Sequence, residues 1–209
     1  MKNIFDIKTA VISVICGFII TAAAAAGAYA QRVGREISDS VIRFHVLAES
    51  DEDYDQKLKL KVRDEILKYL NGDMKNCKSR SDAEMYLKAH TDDINALAEK
   101  VIKDEGYDYT VSTTLSEEHY PIRYYGNAVF PEGDYESLRV IIGKGDGHNW
   151  WCVMYPPLCL NGEGAEYTDT EILKETLTKD GYDVVVLSSE SPAYEMKFKI
   201  VEWWASVKN

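Results

Sequence analysis

Basic residues are the scarce charge in this chain: 24 Lys and Arg stand against 35 Asp and Glu, for a formal net charge of -11. A polyanion such as DNA, or an anionic lipid surface, repels such a domain unless a local basic stripe overrides the net field. The one basic run, Lys57, Lys59, Lys61 and Arg63, alternates with Leu58, Leu60 and Val62 and is followed by Asp64 and Glu65, the pattern of a solvated helix face. Nucleic acid is therefore not an expected partner. A Walker loop is also missing, because Lys144 is followed by Gly145 rather than Ser or Thr. Neither a nucleotide nor any other small-molecule substrate is expected, and no cofactor or metal. Internal repeats are absent, as is any low-complexity tract after the alanine run near the start. With 45% apolar and 28% charged residues, the composition is that of a soluble globular domain, which argues against wholesale disorder and against a multi-span membrane protein.

Ala10 to Ala30 is an uncharged stretch carrying Val11, Ile12, Val14, Ile15, Phe18, Ile19 and Ile20, with Lys2 and Lys8 before it. It meets the length of about 20 apolar residues that a spanning helix needs. Ala28-Tyr29-Ala30 supplies small residues where a signal peptidase reads them, so cleavage between Ala30 and Gln31 is expected. An uncleaved anchor is the alternative, and in either case the domain lies outside the cytoplasmic membrane. The expected organisation is a signal peptide or transmembrane anchor over 1–30, a linker over 31–39 and one exported domain over 40–209. Of the four cysteines, Cys16 lies in the apolar segment; Cys77, Cys152 and Cys159 lie beyond it and cannot all pair internally. Cys152 and Cys159 flank a turn with Pro156 and Pro157, which suits either a disulfide or two half-buried thiols.

Ile42, Phe44 and Val46 alternate with Arg43 and His45, which reads as a strand. Glu49-Ser50-Asp51-Glu52-Asp53 then starts a helix, carried by Tyr54, Leu58, Val62, Ile66 and Tyr69 to Asn71-Gly72. Ser81-Asp82-Ala83-Glu84 has capping-box spacing and opens a second helix, running to Gly106 with a break point at Thr91-Asp92-Asp93. Strands follow at Tyr107 to Leu115, Tyr120 to Phe130, Leu138 to Ile142 and Trp150 to Tyr155. Gly143 to Gly147 is read as a hairpin loop between the last two. A turn at Asn161 to Gly164, a helix at Thr170 to Thr176, a strand at Tyr182 to Leu187 and a terminal helix complete the chain. The expected fold is α+β, an antiparallel, meander-like sheet with helices packed on one face.

Adjacent residues on a strand face opposite ways, so one of Trp150 and Trp151 is expected in the core and the other outward. Exposed tryptophan is a favoured interface anchor. His148, Asn149, Trp150 and Trp151 are thus the first candidates for partner contact, with Arg43 and His45 second; for Arg43 a surface salt bridge is the plainer expectation. A rival reading takes His148, Cys152 and Cys159 as a thiol enzyme or a zinc site of the cell envelope. Its difficulty is that residues four apart on one strand lie about 13 Å apart. A carbohydrate-binding module that lays its tryptophans on peptidoglycan is a third class.

The run from Leu138 to Cys159, with its glycine loop, Asn149-Trp150-Trp151-Cys152 and Pro156-Pro157-Leu158-Cys159, resembles the stage II sporulation protein R family. Val41 to Val46, Leu58 to Asp64 and Val201-Glu202-Trp203-Trp204 are similar to that family in the same order. The resemblance is weakest from Asn161 to Glu195, and Glu49 stands where the family pattern has asparagine. It implies an exported signalling protein of endospore formation, made in the forespore and delivered into the space between forespore and mother cell. There it would activate a membrane-embedded aspartic protease that removes the pro-sequence of sigma factor E. No catalytic residues come with that role.

Overall fold

The structure is a computed structural model that describes residues 2–158 and 170–186. The expected turn at 161–164, the terminal helix, Cys159 and the Trp203-Trp204 pair lie outside those residues.

Helix α1 (Lys2–Ser38) is unbroken. Its span from Ile7 is long and apolar enough to cross a membrane, and side chains such as Val14, Phe18 and Ile20 project away from the rest of the protein. The helix does not stop at residue 30. Residues 31–39, expected as a linker, remain helical to Ser38, and Val33 and Ile37 are buried in the domain. Strand β1 (Ile42–Leu47) follows after a three-residue turn.

Helices α2 (Asp53–Met74), α3 (Arg80–Ala89) and α4 (Thr91–Asp104) come next. In α2, Leu58, Val62, Ile66, Leu70 and Met74 recur at helical spacing and are buried, while Tyr54 and Tyr69 stay exposed. The cap of α3 is Ser79, whose hydroxyl accepts from the Asp82 amide, so the helix starts earlier than the Ser81 box suggested. The break at Thr91 is present. Strands β2 (Val111–Tyr120), β3 (Arg123–Tyr125), β4 (Ala128–Phe130), β5 (Gly133–Ile142) and β6 (Asn149–Tyr155) are followed by α5 (Thr170–Thr176) and α6 (Lys179–Val185). Helix α6 replaces the strand expected from Tyr182, with Thr178 as its cap. Tyr120 to Phe130 is not one strand either: β3 and β4 form a small separate hairpin.

The α+β class holds, with a mixed main sheet in the order β2-β5-β1-β6. β1 runs parallel to β5 and antiparallel to β6, so the last two strands are not neighbours. The glycine loop is therefore no hairpin turn. It arches from the end of β5 across the end of β1 to reach β6. Both sheet faces are covered. Ile42, Phe44 and Val46 point to a core shared with α2, α3 and α4. The opposite face carries a second core, built with Val33 and Ile37 of α1, the β3–β4 hairpin, and Leu173, Leu177 and Val185 around α5 and α6. Helices on one face alone would have left Arg43 and His45 in water; here they are interior.

Candidate functional site

Three segments meet where β1 ends: the turn Ala48 to Asp51, the start of α2 and the loop Gly143 to His148. Glu49 reaches under the loop, its Oε2 accepting from the Lys144 amide at 2.5 Å while Oε1 faces the Lys144 ammonium at 3.3 Å. The Gly147 amide donates to the Ala48 carbonyl at 3.0 Å and the Asp146 amide to the Glu49 carbonyl at 3.3 Å. Asp51 takes both the backbone amide of His148, at 2.6 Å, and the ring nitrogen Nδ1. From below, the nearly buried Lys59 donates to the His148 carbonyl at 2.7 Å. These bonds hold the Glu49 and Asp51 carboxyls below the usual carboxylate range, the backbone amides of Lys144 and His148 being the main causes. Gly143 and Gly145 adopt φ of 60° and 70°, a region open chiefly to glycine. The loop is thus a braced arch, and its outward side chains are Lys144, 75% exposed, Asp146 and the imidazole of His148, 80% exposed.

Glu49, Asp51 and Lys59 are the residues that sequence reasoning missed as parts of this site. Glu49 and Asp51 were read as a helix start, and Lys59 as a solvated face. The glutamate at position 49 is the clamp on the loop.

Asn149, Trp150 and Trp151 lead away from the arch along β6. The two tryptophans do take opposite faces, but neither is fully exposed and neither fully buried. Trp150 meets Phe44 edge-on at 5.6 Å and lies beneath the Arg63 guanidinium at 4.8 Å. Trp151 stacks on His45 at 4.8 Å, touches Tyr120 edge-on and lies beneath Arg123 at 4.7 Å. The expected split into one core and one surface tryptophan is corrected to two half-buried rings, each capped by an arginine. The reason is the double-sided cover of the sheet: α2 supplies one arginine and the β3–β4 hairpin the other.

Arg43 and His45, expected at the surface, are 0% and 4% exposed. Arg43 makes no salt bridge among the described residues. Its guanidinium sits 4.4 Å from the Tyr120 ring centre and within 5.4 Å of those of Tyr125, Phe130 and Tyr135, and it donates to the Tyr125 hydroxyl at 2.7 Å. Ring faces take over part of the role of water in stabilising the cation. His45 sits between Arg43, Arg139, Trp151, Tyr120 and Asn149. Burial, then the positive charges of Arg139 and Arg43, push its pKa down to about 4, with Asn149 slightly opposing. A histidine depressed in this way favours the fold most above its unfolded pKa near 6.5, and that contribution is lost as pH falls toward about 4. Between those values the unfolded chain binds the extra proton, and stability should fall by up to about 1.4 kcal/mol per pH unit. Denaturant melts of the domain from pH 7 to 4.5 check this. His45→Phe should flatten the slope, and an unchanged slope in that variant would place its origin elsewhere.

Cys152 is disulfide-bonded, whereas Cys16 and Cys77 are free thiols. Cys159, which the sequence left open as either a disulfide partner or a second half-buried thiol, lies outside the described residues. A bonded sulfur supplies no thiolate to a His148 base, and the His148 ring is already held by Asp51. Among the described residues no group of three or more His, Cys, Asp or Glu is placed to hold a metal.

The family model of stage II sporulation protein R matches residues 38–164, which take in β1, the three helices, the whole sheet and the arch. The chain belongs to the stage II sporulation protein R family. Stage II sporulation protein R of Bacillus subtilis (strain 168) is 35% identical over 181 residues, covering 80% of this chain and 81% of that protein. No solved structure matches. The family segment ends before α5 and α6 and begins at the last residue of α1, so the elements that finish the second core lie outside it.

Proposed function

We propose that this protein is an exported signalling ligand of endospore formation that switches on a membrane-embedded aspartic protease, which then removes the pro-sequence of sigma factor E. Family membership carries this reading. The apolar helix α1 fits a signal sequence or membrane anchor and supports export into the space between forespore and mother cell. A ligand needs no nucleophile, only a rigid recognition edge. The braced arch supplies one: its backbone is tied to Ala48, Glu49 and Asp51, and little ordering entropy remains to be lost on binding. His148 and Asn149 at its exit, continuing into the half-buried Trp150 and Trp151, form the proposed contact with the protease.

Co-expression of the protein with the protease and pro-sigma E, with processing followed by immunoblot, tests this. His148→Ala keeps the backbone bonds to Asp51 and Lys59, so its melting temperature should stay near that of the unmodified protein. Processing should drop roughly thirtyfold, the effect of losing one interface anchor of about 2 kcal/mol. Processing that proceeds without the protein overturns the proposed role, and a fully active His148→Ala variant removes the arch as the contact.

A further inference from the structure

The bond expected to be cut, between Ala30 and Gln31, lies inside α1, immediately before the turns of that helix that are built into the domain. Val33 and Ile37 are 2% and 0% exposed in the second core. Arg32 donates to Asp180 of α6 and to Glu36, each at 2.7 Å, and Thr178 at the start of α6 donates to Glu36 at 3.1 Å. The same Arg32 guanidinium lies 5.3 Å from the ring centre of Tyr29. A Cβ added at Gly181 of α6 would come within 3.3 Å of the Ile37 side chain, so the two helices approach closely. The scissile bond is thus bracketed by Tyr29 and Arg32, and Arg32 is fastened to the folded domain.

An endopeptidase that reads small residues before its cut takes its substrate as an extended strand. Residues around Ala30 must then leave the helix, where each amide is bonded to the carbonyl four residues earlier. In a free leader that local opening is easy, because a helix with no tertiary partner is marginal in water. Here the opening must also loosen Arg32 from Asp180 and disturb the seat of Val33.

From this we propose that docking of the end of α1 against α6 and the second core gates processing of this chain. While Val33 and Ile37 are seated, the Ala30–Gln31 bond remains helical and uncut, and the folded domain stays tethered to the membrane through α1. Release requires cleavage before the domain closes, or undocking afterwards. In the cleavage itself water adds across the Ala30–Gln31 amide, leaving a carboxylate on Ala30 and an ammonium on Gln31, with a membrane endopeptidase specific for small residues as catalyst. The gate concerns the fate of the leader alone and holds whatever partner the exported domain addresses.

Expression of the full chain in a bacterium with such a peptidase, followed by membrane fractionation and mass determination of the amino terminus, tests the gate. A Gly-Ser-Gly-Ser insertion between Gln31 and Arg32 keeps Ala28-Tyr29-Ala30-Gln31 and leaves Val33, Ile37 and Arg32 free to dock, while uncoupling the cut site from them. The unmodified chain should be recovered mainly uncut in the membrane fraction, and the insertion variant mainly as soluble protein beginning at Gln31. Asp180→Ala, which removes only a surface partner of Arg32, should shift the unmodified pattern toward release. An unmodified chain cut as completely as the insertion variant overturns the gate, and so does an insertion variant that remains uncut. Thermal melts of the recovered protein, in detergent where it is uncut, distinguish either result from misfolding.

Discussion

Truncating either tryptophan of the β6 pair to alanine should destabilise the domain, by about 3 kcal/mol or more in each case. The two side chains lie on opposite faces of the sheet, yet each closes the edge of a core. Without Trp150, the Phe44 ring loses its edge-on partner and the Arg63 guanidinium loses the surface it covers. Without Trp151, the stack on His45 and the contact with Tyr120 both go, beside the buried Arg43. The second loss should be the larger, because it admits water toward a cation and an imidazole that the fold keeps dry. Urea denaturation of both variants checks this. A Trp150→Ala or Trp151→Ala protein with an unchanged midpoint would show that its ring does not hold the core together.

Gly147→Ala should rival them, with a loss at the upper end of the range of about 1–3 kcal/mol typical of overpacking. A Cβ at Gly147 would lie 2.2 Å from the Ser50 carbonyl oxygen, a backbone atom fixed by the Gln56 side chain and the start of α2. Relief would require the arch to lift off β1, breaking the Gly147 to Ala48 bond and straining the two bonds of Asp51. Gly143→Ala makes an informative contrast. Its Cβ would come nearer still, 1.8 Å from Glu49 Oε2, but that atom ends a flexible side chain that can swing away. The remaining cost is the positive φ and the lost bond to Lys144. Gly147→Ala should therefore be the more damaging of the two in melting temperature and in the proposed protease activation, and the reverse order would mean that the clamp by Glu49 dominates.

Local pattern carried a good part of this fold into the sequence. The helical spacing of Leu58, Val62 and Ile66, the break at Thr91 and the short helix from Thr170 all follow from side-chain periodicity and capping within a few residues. Strand adjacency does not. That β1 separates β5 from β6 depends on pairings between segments far apart in the chain, so the glycine loop looked like a hairpin turn and its supports at Glu49 and Asp51 looked like a helix start. Arg43 and His45 misled for a related reason. A polar residue on alternate positions of a strand usually marks a wetted face, and what covers that face here comes from α1, α5, α6 and the tyrosines of β2, β3 and β5. The tryptophan pair was legible in direction but not in depth, since alternation fixes which face a ring takes and says nothing about the arginine laid over it.

The central position of β1 also constrains the order of events during folding. Arg43 sits opposite Ser137 on one side and Val153 on the other, so the first strand in the chain has no partner until much of the chain has followed. Contacts of such high sequence separation slow folding, because the loop they close costs entropy before any pairing rewards it. Meanwhile Ile42 to Leu47 has one apolar face and both edges open, the kind of segment that pairs with whatever strand it meets. Helices α2 to α4 are local, can form within microseconds, and bring the apolar face they share with Phe44 and Val46. They are placed in the chain directly after β1, where they can shelter it until β5 and β6 arrive.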